Sequence, residues 1–132
     1  MIKLLIDENL SEHLAHGLNA IQRPMDNGIE VVSMKSEFGK GTKDEDWIPK
    51  WGKKDGIFLS ADINISRTRH LANLLQQNDF GVFFLKIPNK TSYWDRVIVI
   101  IKHWPKISEI ILSKTKPFAY IVTPNKVEKL SL

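Results

Sequence analysis

The sequence predicts an α/β protein, a three-layer α/β/α sandwich with a mainly parallel central sheet. Short, nearly all-apolar runs alternate along the whole chain with segments whose apolar residues recur at helical spacing. Such runs are typical of strands that are buried on both faces, as in parallel sheets. No internal repeat, low-complexity tract or linker breaks the alternation, and 132 residues suit one domain, so we expect a single domain over residues 1–132.

The predicted strands are the apolar runs themselves. The first four are Ile2–Ile6, Ile29–Met34, Ile57–Ala61 and Gly81–Leu85. Two further runs flank a Thr123-Pro124-Asn125 turn and predict a C-terminal hairpin of Ala119–Val122 and Lys126–Leu130.

Helices are predicted between these strands. Asn9, with Glu12 three residues later, is the expected cap of the first helix. The second helix has two candidate starts: a Thr42–Glu45 capping box, which puts Pro49 deep inside the helix, or Asp46, which puts it in the first turn. The predicted apolar faces of the first three helices are Leu10, Leu14, Leu18 and Ile21; Trp47, Ile48 and Trp51; and Leu71, Leu74 and Leu75.

The last predicted helix is long and contains a proline. Ser92 and Asp95 form a capping box, and Pro105 is expected to kink the helix or to split it in two. The face predicted to pack on the core consists of Trp94, Val97, Ile98 and Ile101. The four tryptophans of the chain are interpreted as core residues rather than base-stacking platforms: Trp47, Trp51, Trp94 and Trp104.

Composition excludes several classes of protein. Without cysteine, the chain cannot hold a disulfide scaffold, a Cys-ligated zinc site, an iron–sulfur cluster or a catalytic thiol. No apolar run approaches the ~20 residues of a membrane span, and the start lacks a signal-peptide pattern, so we expect a cytoplasmic protein without a membrane partner. The formal net charge of +4 mildly favours a polyanionic partner.

Acidic side chains follow two of the predicted strands. Asp7 and Glu8 end the first strand, and Asp62 ends the third. Three further acids stand at the start of the second helix: Asp44, Glu45 and Asp46. Ligands of parallel sheets bind beyond the carboxyl ends of the strands, so these acids converge if the first and third strands are neighbours. Crowded carboxylates repel one another, and a hard cation such as Mg²⁺ or Mn²⁺ relieves the repulsion. The alternative is that each acid only caps a helix or stabilises its N-terminus.

Basic residues near the same edge are candidate phosphate ligands. Arg67 and Arg69 follow Asp62 by a few residues, and Lys53 comes shortly after the second helix. Such side chains can hold the phosphates of a nucleic acid beside the carboxylates. Solvated helix faces are the commoner origin of charge runs, and that interpretation stays open.

Several segments together resemble the PIN-like nucleases. Leu4–Leu10 resembles their opening, and Phe58–Asp62 resembles the strand that delivers a second acid. Gly41–Pro49 is similar to the Thr-x-Asp-x-acid-Trp-Ile-Pro segment of the VapC-like toxin branch of bacterial toxin–antitoxin systems. The Val82–Leu85 strand and the Trp104-Pro105 helix also fit, so the resemblance covers nearly the whole chain.

The resemblance implies a metal-dependent endoribonuclease that acts as the toxin of a toxin–antitoxin pair. Carried over by position, the implied metal ligands are Asp7, Asp44 and Asp62, and the catalytic set adds Glu8 and Asp46. The implied cofactor is Mg²⁺ or Mn²⁺.

The implied partners are an RNA substrate and a small antitoxin protein, and a homodimer is left open. Arg67 resembles the basic residue that follows the last acid of this branch, and Arg69 and Lys53 complete the predicted RNA contacts.

Two other classes remain open. A PIN-like fold that binds RNA or a protein without cutting shares every motif described above. A receiver-like phosphotransfer domain also gathers acids at strand ends, with Lys86 as its candidate lysine. Only the nuclease changes the length of RNA in a metal-dependent reaction.

Overall fold

A six-stranded sheet forms the centre of the computed structural model, which describes residues 1–61, 65–88 and 90–130, with the backbone alone at 65–68. The strands are β1 (Ile2–Ile6), β2 (Ile29–Ser33), β3 (Ile57–Ser60), β4 (Gly81–Leu85), β5 (Phe118–Val122) and β6 (Val127–Lys129). Their order is β2-β1-β3-β4-β5-β6, and only β6 pairs antiparallel. The predicted α/β class and the predicted C-terminal hairpin are both confirmed.

Helices cover both faces of this sheet. They are α1 (Glu12–Gln22), α2 (Met34–Phe38), α3 (Asp44–Gly52), α4 (Ile65–Gln77) and α5 (Tyr93–Ser113), with a 3-10 turn at Arg23–Met25. Side chains of α1 and α5 pack into one core with the sheet, and side chains of α2, α3 and α4 pack into a second core on the other face. This gives the three layers that the sequence predicts.

Alternate residues of each strand supply the two cores. Leu4 and Ile6 face α1 and α5, whereas Leu5 faces α3 and α4. In β4, Phe83 faces α1 and α5, and Phe84 faces α3 and α4. The strands are nearly all apolar because both faces are covered, and each fully buried side chain of this size contributes ~1.5–3 kcal/mol of transfer free energy.

The connection that leaves β1 and the connection that leaves β3 run toward opposite edges of the sheet. The chain leaves β1 through α1 on one face, returns to β2 at the sheet edge, and then enters β3 on the other side of β1. It leaves β3 through α4, which packs on the opposite face. This divergence opens a crevice beyond the carboxyl ends of β1 and β3, the usual ligand position in an open α/β sheet.

Three predictions about where the helices lie need correction, and Ile21, predicted on the apolar face of the first helix, is instead 61% exposed. Ser11, rather than Asn9, caps α1, with its hydroxyl accepting from the His13 N–H at 3.0 Å. The segment Ser36–Lys43, whose two glycines and two lysines predict a flexible loop, instead begins inside the short α2. The second helix begins at Asp44 after an N-cap at Lys43, between the two predicted starts, and Pro49 lies inside it.

The apolar face predicted for the long helix α5 is wrong at Trp94, Ile98 and Ile101, and only its Val97 packs against the core. Trp94 is 70% exposed and Ile98 is 57% exposed. The residues that pack on the sheet are instead Val99, Ile100, His103, Trp104, Ile107, Ile110 and Ile111. The Ser92 cap of α5 is confirmed, and the helix continues through Pro105 without splitting.

Across the part of the chain that the structure describes, no helix combines the length and the apolar character needed to cross a membrane.

Candidate active site

Asp7 is a buried carboxylate directly after β1. The residue is 6% exposed, and its backbone N–H donates to the Leu59 carbonyl of β3 at 3.0 Å. Its Oδ1 accepts from the Asn9 N–H at 3.3 Å, and its Oδ2 accepts from the Ala61 N–H at 3.3 Å and from the Ser60 hydroxyl at 3.5 Å. A buried carboxylate is costly without such donors, so these bonds hold it at the crevice between the two strands.

Asp44, the first residue of α3, is held by a tryptophan of the same helix. The Trp47 indole Nε1 donates to Asp44 Oδ1 at 3.1 Å. Trp47 is 1% exposed, and its ring centroid lies 4.7 Å from that of Phe58 on β3. The core therefore keeps the Trp47 ring in place, and the indole N–H of that ring orients the half-buried Asp44 carboxylate.

Both carboxylates line one open cleft of about 280 Å³. Its polar wall includes Glu8, Thr42, Lys43, Glu45 and Ser60, and its apolar side includes Met34, Phe58 and Leu71. Asp7, which follows β1, thus shares the cleft with the N-terminus of α3. The convergence predicted between Asp7 and Asp62 involves a residue outside the described part of the chain.

Glu8 binds the loop before α3 and holds it close to the end of β1. Its Oε2 accepts from the Gly41 N–H at 3.2 Å. Gly41 has a φ of 78°, a left-handed conformation that glycine adopts without steric cost. This bond keeps the Lys40–Lys43 segment beside the cleft.

Glu45 connects the first turn of α3 to α4. Its Oε1 lies 3.5 Å from His70 Nε2, with both side chains well exposed. The pKa of Glu45 lies below its ordinary value, first because of its own backbone N–H and then because of hydrogen bonding from His70. The carboxylate is therefore ionised at neutral pH at the mouth of the cleft.

The predicted acidic residues differ in their positions. Asp7, Glu8 and Asp44 line the cleft together, whereas Asp46 is exposed on the first turn of α3 and does not line it. Asp62, the predicted acid after β3, lies outside the described residues.

The predicted basic residues lie on two helices. Arg69 is exposed on α4, and the Arg67 side chain lies outside the described part of the chain. Lys53 is the C-cap of α3, nine residues from Asp44 or roughly 13 Å along the axis, so the structure does not bring it to the cleft.

Lys43 and Ser60 are cleft residues that sequence reasoning missed as site residues, whereas Glu45 is one of the acids already grouped at the start of the second helix. Lys43 precedes Asp44 in the Gly41–Pro49 segment, so that segment already contained a signal for it. Ser60 ends β3 on the same crevice as Asp7, but the contact depends on the pairing of β1 with β3.

The donor chemistry of the cleft fits a hard divalent cation. Asp7 and Asp44 offer carboxylate oxygens, which Mg²⁺ and Mn²⁺ prefer. Among residues 1–61, 65–88 and 90–130, no group of three or more His, Asp or Glu residues is placed to hold a metal ion. The predicted third ligand, Asp62, is not among those residues.

A family model described as a PIN-like domain matches residues 2–87. The matched region begins with β1 and ends just after β4, so it contains both strands and the helix that form the cleft. No curated protein and no solved structure matches the chain.

Proposed function

The chain belongs to the PIN-like domain family, and on that premise we propose that it is a metal-dependent endoribonuclease, the toxin of a toxin–antitoxin pair. PIN domains are generally nucleases and generally use divalent metal ions. The proposed substrate is RNA, and the proposed reaction is hydrolysis of its phosphodiester bonds. The proposed domain is the whole of residues 1–132, because β5 and β6 extend the same sheet beyond the matched region.

The buried Asp7 carboxylate is the observation that carries this proposal. It lies at the crevice between β1 and β3, shares a cleft with Asp44, and is fixed by donors from two strand ends. A carboxylate needed only for helix capping has no reason to accept hydrogen bonds from residues at the ends of both β1 and β3.

In this proposal, Asp7 and Asp44 hold Mg²⁺ or Mn²⁺ together with Asp62. The bound ion supplies Lewis-acid stabilisation of the phosphodiester and lowers the pKa of water. Trp47 keeps the Asp44 carboxylate in one orientation, and Ser60 does the same for Asp7. These bonds preorganise the ligands before RNA binds.

The remaining side chains position the RNA. Lys43 lines the cleft and is suited to pair with a phosphate next to the scissile bond. Arg67 and Arg69, on the helix that follows Asp62, stay proposed phosphate contacts. Glu8 shapes the cleft through Gly41, and Asp46 is assigned a smaller role than Asp7 because it is exposed outside the cleft.

The toxin role and the antitoxin partner rest on the similarity of Gly41–Pro49 to the VapC-like segment. A cytoplasmic location stays a prediction of the same kind. Expression of the chain alone is expected to slow growth, whereas Asp7→Asn is expected to remove that effect at equal protein level.

Cleavage of total RNA by the purified protein tests the reaction. Activity is expected with Mg²⁺ or Mn²⁺ and not with a chelator, and Asp7→Asn and Asp44→Asn are each expected to lose at least about a hundredfold in rate. Asp26→Asn makes the same chemical change at an exposed residue away from the cleft and should keep full activity. RNA binding without cleavage under every divalent ion would instead identify a catalytically silent PIN-like module.

A further inference from the structure

A second pocket, of about 200 Å³, lies near the cleft between the starts of α1 and α5, and we call it the flanking pocket. Three side chains with apolar surface form part of its lining and also pack on the core: Leu10, Leu14 and Val97. Its lining also includes an amide, a guanidinium and an aromatic ring, which belong to Asn9, Arg96 and Tyr93. The pocket therefore combines an apolar surface with groups that recognise polar ligands.

Asn9 has no role in capping α1, although its position in the sequence predicts one. Ser11 caps the helix instead, and the Asn9 side-chain amide forms no hydrogen bond with the described residues. The backbone N–H of Asn9 donates to Asp7 Oδ1 at 3.3 Å. An exposed amide, with two N–H donors and one acceptor oxygen, is thus anchored two residues from Asp7, at most about 7 Å along the chain.

Arg96 contributes a cation to the flanking pocket. The residue is half-buried, and in the part of the chain that the structure describes its guanidinium forms no ion pair. The five N–H donors of a guanidinium match the oxygens of a phosphate, often in pairs. A half-buried arginine that none of these carboxylates neutralises is suited to an anion that comes from a ligand.

Tyr93 contributes the aromatic ring. It is 48% exposed, and its ring centroid lies 5.7 Å from that of Trp94, with the two ring planes at 74°. This edge-to-face contact favours one orientation of the Tyr93 ring. Tyr93 and Arg96 are three residues apart on α5, so ring and cation lie on one side of the helix.

The flanking pocket is connected to the cleft along the Glu8–Ser11 segment. A groove of about 500 Å³ shares Glu8 with the cleft, and it shares Asn9 and Ser11 with the flanking pocket. The exposed Lys40 lines this groove and can face a phosphate. A single strand whose scissile phosphate lies at Asp7 can therefore follow this segment from one site to the other.

We propose that the flanking pocket binds one nucleotide of the RNA beside the scissile bond, an inference that rests on the proposed ribonuclease function. The base stacks on Tyr93, the base edge bonds to the Asn9 amide, and the phosphate pairs with Arg96. Face, edge and phosphate of one nucleotide each have a matching group in the pocket. Binding there adds a preference for the base that flanks the cut.

Comparison of an intact RNA with an abasic strand of the same length tests the contact with the base. Fluorescence anisotropy with an eight-nucleotide single strand, in the presence of a chelator, measures binding without cleavage. Tyr93→Ala is expected to weaken binding of the intact strand about tenfold and to leave binding of the abasic strand unchanged, because base–aromatic stacking contributes about that much. Tyr93→Phe keeps the ring and should bind both strands as wild type does.

Arg96→Ala is expected to show the opposite pattern. It should weaken binding of the intact and the abasic strand equally and should lower the slope of log affinity against log salt concentration by roughly 0.7, because only a phosphate contact is lost. Circular dichroism spectra identical to that of wild type establish that these variants are folded.

Asn9→Ala tests the contact with the base edge, with Asn73→Ala as its control. Asn73 is an exposed asparagine on α4 that does not line the flanking pocket. The affinities of wild type for oligo(A), oligo(C) and oligo(U) of equal length are expected to differ at least about fivefold, since one base contact discriminates by such factors. Only Asn9→Ala should narrow this range.

Two results overturn the proposal. An equal loss for intact and abasic strands in Tyr93→Ala means that the ring contacts no base. Unchanged RNA binding in both Tyr93→Ala and Arg96→Ala means that the pocket serves another ligand, such as a protein side chain. If wild type cuts RNA while these variants bind it normally, the pocket assignment fails and the nuclease stands. If the variants behave as expected while wild type cuts no RNA with any divalent ion, the nuclease fails and the nucleotide pocket stands.

Discussion

The indole N–H of Trp47 donates to the Asp44 carboxylate at 3.1 Å, and it connects the core beneath α3 to the cleft above it. The two residues are three apart on the same helix, so they lie on adjacent turns of one face. Trp47 packs against Phe58 of β3 and is almost fully buried. The position of an acid in the cleft therefore depends on an aromatic side chain of the core.

Trp47→Phe is expected to lower the rate of RNA cleavage without removing the reaction. Phenylalanine keeps much of the aromatic packing but has no N–H, so Asp44 loses its hydrogen bond from the Trp47 indole. We expect kcat to fall between about ten- and a hundredfold with little change in KM, and the free energy of unfolding to fall by about 2 kcal/mol. Steady-state cleavage kinetics and thermal unfolding measure both effects.

Trp51→Phe is the matched control for this prediction. Trp51 lies one turn further along α3, is equally buried, and donates its Nε1 to the Ile57 carbonyl at 2.9 Å rather than to an acid. A similar loss of stability with unchanged kcat is expected. If both variants lose kcat equally, the effect of Trp47 is structural and not one of positioning Asp44.

Lys43→Ala is expected to weaken RNA binding by removing one phosphate contact. The slope of log affinity against log salt concentration should fall by roughly 0.7 for single-stranded RNA, and unrelated sequences should be affected about equally. Filter binding over a salt series gives the slope. Lys53→Ala removes the same charge from the far end of α3 and should change the slope less; a larger change would mean that the RNA follows α3 away from the cleft.

Gly81→Ala is expected to destabilise the protein. A Cβ built on Gly81 would lie 2.3 Å from the Cζ atom of Phe118, so the ring of the neighbouring strand would have to move. Such overpacking costs ~1–3 kcal/mol. Denaturant unfolding should give the opposite sign for Gly17→Ala. That substitution adds a Cβ within α1 with no atom within 4 Å apart from the chain neighbours and the helix's own backbone, and it should stabilise by ~0.5–1 kcal/mol.

Much of the fold follows from local pattern. The four internal strands were predicted within one residue of their ends, because nearly all-apolar runs bounded by turn residues leave few other structures. Asp7 was identified for the same reason, since the residue that ends a buried parallel strand lies at the edge where ligands bind. The predicted start of α3 was less exact, because Lys43 provides no side-chain cap and Pro49 is accepted inside the helix.

The orientation of α5 could not be obtained from its sequence. Trp94, Ile98 and Ile101 recur with the same helical period as the true core residues Ile100, Trp104 and Ile107. A helix with apolar residues on two sides has no single face that periodicity can select.

The sequence by itself determined the strands, the mainly parallel sheet, the family resemblance and the position of Asp7 at a strand end, because each depends on residues close together in the chain. Only the tertiary structure decided that Asp7, Ser60 and Asp44 meet on one cleft, and which side of α5 is buried. Those outcomes depend on how β1 pairs with β3 and how helices pack on the sheet. Contacts between residues tens of positions apart are fixed by that packing, which no local spacing specifies.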